Sequence, residues 1–163
     1  MTISTGRIFL NILVCLFSFY AVFYISSTIV FGAFSLKTFD GTTPFHYESF
    51  DDVFYHLVPF NQTVWTSQPF LSDFIALEAT YIFTTWIYLI FLDSWLWDYA
   101  ITVTIIHCAI VCAVNLTFPL IWEWWVCVLI GLTLMIILGE SINACCNCRK
   151  KGKFTPEKET KPT

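Results

Sequence analysis

An uncharged stretch over residues 8–34 limits the fold more than any other feature. Its 27 residues include no Asp, Glu, Lys or Arg. A helix needs roughly 20 mainly apolar residues to cross a bilayer, whereas the apolar core of a cleaved signal peptide has only about 7–15. The stretch therefore predicts a retained membrane span, with a cleaved signal peptide as the less favoured alternative.

The composition of the whole chain agrees with a membrane protein. Of the 163 residues, 57% are hydrophobic and only 12% are charged, against about 25% charged in a typical soluble domain. Three more apolar runs follow the first, so we expect an all-α membrane protein with four transmembrane helices in an up-down bundle. The expected spans are residues 9–34, 71–92, 98–119 and 123–142, within a transmembrane domain that covers 9–146.

The segments between and beyond the spans predict an orientation. Basic residues cluster after the last span, which by the positive-inside rule places the C-terminus in the cytoplasm. An even number of spans then returns residues 1–8, with Arg7, to the same side, and puts the long loop 35–70 in the lumen or outside the cell. The tail 147–163 is expected to be basic and disordered. The sequence does not choose among the compartments of the endomembrane system and the plasma membrane. The basic cluster comprises Arg149, Lys150, Lys151 and Lys153.

Glu78 and His107 are the candidate ionisable residues at bilayer depth within the expected spans. Such groups are costly at bilayer depth and usually face the interior of a bundle. At a rise of 1.5 Å per residue they reach similar depths from opposite surfaces, so we predict an intramembrane polar pair between spans two and three. The helical period also places four residues of span two on one inward-facing stripe. These are Glu78, Tyr81, Thr85 and Tyr88.

The polar residues within the spans allow two interpretations. Polar contacts are ordinary links between transmembrane helices, and this structural reading is favoured over a path for ions, protons or small solutes. Asp98 is expected to cap the start of span three, where a carboxylate suits the positive end of the helix dipole. Asp98 and His107 are nine residues apart on opposite helix faces, so they cannot form a catalytic couple.

Two groups of residues are candidates for modification. Asn61 begins an N-glycosylation sequon, NQT, in the outer loop. Three cysteines precede the basic cluster at the cytoplasmic end of span four, where S-palmitoylation is favoured. Unmodified thiols and zinc binding are the alternatives, although no histidine or second cysteine pair lies nearby for zinc. These cysteines are Cys145, Cys146 and Cys148.

The sequence contains no recognisable catalytic motif. It shows no Gly-rich phosphate loop and no ordered nucleophile, base and acid, so we expect no catalytic residues, no metal site, no cofactor and no enzyme activity. The basic cluster is short and adjacent to the membrane, which argues against a nucleic-acid partner. The expected partners are the lipid bilayer and other membrane proteins or further copies of the chain.

One region resembles a known family. The segment WDYAITVTIIH at residues 97–107, followed by FPL at 118–120 and WW at 124–125, resembles the signature of the transmembrane protein 244 family. The match is dense over 93–125, looser through spans one and two, and does not include the tail after Glu140. The resemblance implies a small multi-pass membrane protein and carries over no catalytic or binding residues.

These observations favour a structural, scaffolding or trafficking component that acts through interactions within the membrane. The alternative is a channel or transporter subunit that uses Glu78 and His107. A membrane-embedded enzyme ranks third, because no nucleophile and base, or set of metal ligands, can be read from the sequence.

Overall fold

The computed structural model describes residues 5–35, 41–45, 47–50, 68–92 and 96–152. These residues form four long α-helices and two short 3-10 turns, Thr43–Phe45 and Glu48–Phe50, and no strand. All four helices are long and apolar enough to cross a membrane, which confirms the all-α, four-helix prediction. The helices are α1 (Thr5–Ala33), α2 (Gln68–Phe91), α3 (Leu96–Asn115) and α4 (Trp122–Gly152).

The third helix ends four residues before the expected boundary at residue 119. Leu116, the residue after α3, has a φ of 52°, and this left-handed conformation stops the helical hydrogen-bond ladder. Ser35, with a φ of 54°, follows the end of α1 in the same conformation. The hydrophobic pattern continues past Asn115, so the pattern alone places this end too late.

The fourth helix is longer than its apolar segment. The part suited to a membrane is Trp122–Cys146, but the helix continues to Gly152. Residues 147–152 are therefore helical, although they were expected to belong to a disordered tail. At the same end of the bundle, Asp98 lies within the first turn of α3 and is exposed. It is not the cap before the helix, but it still lies at the positive end of the helix dipole.

The helices pack in a ring whose order differs from their order in the chain. α1 packs against α2 and α3, and α4 also packs against α2 and α3. Helices α2 and α3 therefore lie diagonally opposite each other, as do α1 and α4. Only four residues separate α2 from α3, and such short connections usually join neighbours. The short connection therefore does not place α2 and α3 side by side.

Contacts along the helices show their relative directions. Phe19 of α1 packs against Tyr81 of α2. One turn earlier in α1, the Cys15 carbonyl accepts a hydrogen bond from Tyr88, which lies two turns later in α2. These two helices are therefore antiparallel. Helices α1 and α3 run parallel, since their contacts advance together along both helices, from Asn11–Tyr99 to Tyr20–His107.

The outward faces of the bundle are apolar. Phe17 on α1 and Ile90 on α2 are both 79% exposed, and similar side chains lie on the outer faces of α3 and α4. Large apolar patches of this kind are rare on soluble monomers. In a bilayer they contact lipid tails, so the exposed faces agree with a membrane-embedded bundle. Those on α3 and α4 include Ile105, Val114, Leu129, Leu134 and Ile137.

The described part of the loop between α1 and α2 covers one end of the bundle. The Asn115 side-chain amide donates to the Phe45 carbonyl at 2.8 Å, and the Tyr47 hydroxyl lies 2.7 Å from the hydroxyl of Thr117. Phe50 packs edge-on against Phe70 at the start of α2. These bonds satisfy polar groups where the helices end, and they fix the loop over α1, α2 and α3.

Candidate functional site at the centre of the bundle

His107 lies at the centre of the bundle, where side chains from α1 and α4 surround it. Its ring is 1% exposed, and its centroid lies 5.4 Å from that of Phe19 and 5.8 Å from that of Phe23, both on α1. Trp124 of α4 lies at 6.5 Å. Tyr81 of α2 packs against the other side of Phe19 at 5.4 Å. All four helices therefore contribute to one aromatic cluster that fills the interior at this level.

The hydrogen-bond partner of His107 is Tyr20 on α1. The Tyr20 hydroxyl lies 3.1 Å from Nδ1 of His107, and either atom can donate, depending on the tautomer of the ring. Because both side chains carry polar atoms into an apolar interior, the bond removes the cost of leaving those atoms unpaired. This bond links the parallel helices α1 and α3.

Glu78 of α2 is buried without a hydrogen-bond partner among the described residues. The residue is 9% exposed, and neither carboxylate oxygen has a hydrogen bond to the described residues. Tyr81 on the same helix and Cys127 on α4 lie near enough for electrostatic interaction with it. The carboxyl group therefore belongs to the side of α2 that packs against α4.

The predicted pair of Glu78 and His107 is not formed. The histidine bonds to Tyr20 and the carboxylate oxygens make no hydrogen bond within the described chain. The physical reason is the packing order, because α2 and α3 are diagonal and the aromatic cluster occupies the space between them. Residue counts along the helices place Glu78 and His107 at similar heights, but they do not determine which helices are neighbours. Tyr20 was missed, although a tyrosine within an apolar span usually needs a partner for its hydroxyl.

Further polar contacts connect the helices on one side of His107, toward the start of α1. Asn11 donates to the Tyr99 hydroxyl at 3.3 Å, and Tyr88 donates to the Cys15 carbonyl at 3.0 Å. The four predicted inward-facing residues of α2 are all buried, which confirms that the polar stripe faces the interior. The interior thus offers interhelical hydrogen bonds, and among the described residues no three His, Cys, Asp or Glu side chains are placed to hold a metal ion.

Two glycines of α4 allow close approach to neighbouring helices. A Cβ atom built on Gly131 would collide with the ring of Tyr81. One built on Gly139 would lie 2.7 Å from Cδ2 of Leu96 on α3. Small residues at such positions let transmembrane helices pack tightly. Gly131 thereby leaves room for the Tyr81 ring in the aromatic cluster.

The candidate modification sites lie away from this centre. Cys145 and Cys146 are free and exposed at the end of α4, which leaves their thiols accessible. Cys148 lies in the same helix. Asn61 lies outside the described residues.

The arrangement of the four helices defines the class of protein. Four apolar helices with a polar and aromatic interior make this a multi-pass α-helical membrane protein. The chain is similar to a human protein named transmembrane protein 244, with 29% identity over 113 residues, which are 69% of this chain and 79% of the human one. This similarity supports the resemblance predicted from residues 97–125. No model of a known protein family matches the chain, and no solved structure matches it.

Proposed function

We propose that the protein is a structural, scaffolding or trafficking component that acts through contacts of its helices within the membrane, without catalytic activity of its own. The observation that carries this proposal is the aromatic cluster around His107. Because rings from all four helices fill the interior at that level, the polar groups there serve to hold the helices together. The surface that remains for interaction is the apolar exterior.

The same proposal includes an orientation in the membrane. Both termini face the cytoplasm, and the loop between α1 and α2 faces the lumen or the cell exterior. The basic cluster after Cys148 supports this orientation through the positive-inside rule. Cys145 and Cys146 then lie at the cytoplasmic surface, on the side where juxtamembrane cysteines become palmitoylated.

Site-specific photo-cross-linking in intact membranes tests the proposal. A photoreactive phenylalanine derivative at Phe17, which is 79% exposed, should give discrete cross-links to membrane proteins or to a second copy of the chain. The matched control is Phe19, two residues away and 1% exposed, where only cross-links within the chain are expected. Cross-links from Phe17 to lipid alone, repeated at Ile25 and Ile29 on the same helix, would contradict a function based on lateral contacts.

A channel or transporter subunit is the second candidate, and the buried carboxyl group of Glu78 favours it. An ionisable group without a hydrogen-bond partner among the described residues is costly in a membrane and often marks a functional position. Purified protein in liposomes would then show an ion or proton flux that Glu78→Gln abolishes. A flux equal to that of empty liposomes rejects this candidate and leaves the first unaffected.

A further inference from the structure

A small cavity lies beside His107, between the aromatic cluster and the loop that covers the bundle. Its volume is about 10 Å³, which is about the space that one water molecule requires. Residues from all four helices and the covering loop line it, including Phe23, Leu77 and Trp124. Three polar residues also contribute to the wall: Ser27 of α1, Asp73 of α2 and His107 of α3.

Ser27 gives the first indication that the cavity is occupied. Its side chain is 0% exposed, and its hydroxyl has no hydrogen-bond partner among the described residues. Serine in a transmembrane helix can bond to its own backbone, as Thr28 does to the Tyr24 carbonyl at 2.7 Å, but the Ser27 hydroxyl does not. A buried hydroxyl without a partner costs about 1–3 kcal/mol, so an occupant that bonds to it would stabilise the fold.

His107 supplies a second bonding group. Its Nδ1 is engaged by Tyr20, which leaves Nε2 as the ring nitrogen that can bond to an occupant of the cavity. Asp73 adds a carboxylate to the same wall. Buried waters typically make about three hydrogen bonds, and a serine hydroxyl, an imidazole and a carboxylate offer that number.

We propose that this cavity binds a single water molecule that bridges Ser27, Asp73 and His107, and so links α1, α2 and α3 through one hydrogen-bonded centre. A hard cation such as Na⁺ fits the groups less well, because imidazole is a poor ligand for it. An apolar occupant would leave the serine hydroxyl unpaired. The site is independent of the proposed scaffolding function, since it concerns how the bundle is held together.

The sign of a stability change distinguishes a hydrated cavity from an empty one. If water is bound, Ser27→Ala removes one of its partners, and the unfolding temperature of the full chain in detergent should fall by roughly 2–4 °C. Ser27→Val, which also displaces the water, should lower it further. If the cavity is empty, Ser27→Ala removes an unpaired hydroxyl and Ser27→Val fills a void, so neither lowers the temperature, and the proposal is overturned. Ser26→Ala, at a buried neighbour outside the wall, is the matched control.

A measurement on the unaltered protein keeps the proposal testable if the variants fail to fold. X-ray radiolysis converts bound water to hydroxyl radicals, which oxidise the side chains beside it. With each yield divided by the intrinsic reactivity of its side chain toward hydroxyl radical, greater oxidation of Leu77 and Trp124 than of Phe19, which is 1% exposed and outside the wall, supports the water. Equal labelling at all three overturns it. A higher unfolding temperature in NaCl than in choline chloride would assign the site to a cation and would also overturn the proposal.

Discussion

The hydroxyl of Tyr20 on α1 lies 3.1 Å from Nδ1 of His107 on α3. The bond joins two parallel helices at the centre of the bundle, where the histidine is also enclosed by aromatic rings. Interhelical hydrogen bonds in membrane proteins contribute about 0.6 kcal/mol on average. The surrounding rings and the hydrogen bond together explain how an ionisable side chain is accommodated at this depth.

Removing the Tyr20 hydroxyl should weaken the bundle measurably. Tyr20→Phe keeps the ring and leaves Nδ1 of His107 without its partner, so we expect a loss of about 1 kcal/mol in the free energy of unfolding. Chemical denaturation in detergent measures it. Tyr24→Phe is the control, because the Tyr24 hydroxyl donates to Gly41 at an exposed position, and its effect should be smaller. Equal losses of stability in the two variants would show that the Tyr20–His107 bond contributes no more than the exposed bond of Tyr24.

Neutralising Glu78 should not destabilise the protein. Glu78→Gln removes a carboxylate that has no hydrogen bond to the described residues, so the free energy of unfolding should stay the same or rise by up to about 1 kcal/mol. Thermal unfolding in detergent is the measurement, and Glu140→Gln at an exposed position of α4 is the control. A clear loss of stability, absent from the control, would reveal a bonding partner for the carboxylate.

Enlarging Gly131 should disrupt the contact between α2 and α4. Gly131→Ala places a methyl group against the Tyr81 ring, and such overpacking costs about 1–3 kcal/mol. Gly32→Ala is a matched control, because no atom lies within 4 Å of its added Cβ and alanine favours the helix. The unfolding temperature should fall for the first variant and hold or rise for the second. The opposite order would contradict the packing of α4 against Tyr81.

The cysteines at the end of α4 should carry thioester-linked acyl chains in cells. Hydroxylamine-dependent exchange of acyl groups for a mass tag should shift the wild-type protein. The shift should fall stepwise with Cys145→Ser and Cys146→Ser, because both thiols are exposed, and then with Cys148→Ser. Cys127→Ser is the control, since that thiol is buried within the bundle. A shift lost only in the control variant would refute the assignment.

Glycosylation of Asn61 would test the orientation of the whole chain. If the loop between α1 and α2 faces the lumen, an endoglycosidase should reduce the apparent mass of the wild-type protein but not that of Asn61→Gln. The control is Asn115→Gln, because Asn115 lies at the end of α3, with its side-chain amide bonded to Phe45, and should not be modified. A wild-type protein whose apparent mass the endoglycosidase leaves unchanged would count against a lumenal loop.

The sequence alone predicted which parts of the chain are helical and which face of α2 is buried. Uncharged runs and helical periodicity report these properties directly, as the buried Tyr81 and Tyr88 show. It did not predict the end of α3, because the hydrophobic pattern does not show that the backbone of Leu116 adopts a left-handed conformation. It also paired His107 with Glu78, because depth along a helix can be counted from the sequence but the packing order of four helices cannot.

The packing order bears on how the protein enters the bilayer. The α1–α2 and α3–α4 hairpins each consist of antiparallel helices in direct contact, whereas α2 and α3, despite their short connection, do not pack side by side. Each hairpin can therefore insert as a unit during synthesis. The bonds of Tyr20 with His107 and of Asn11 with Tyr99 form only when the second hairpin docks on the first. Docking of the second hairpin is therefore the step that pairs His107 with Tyr20, and the undocked hairpin leaves Nδ1 of that histidine without this partner.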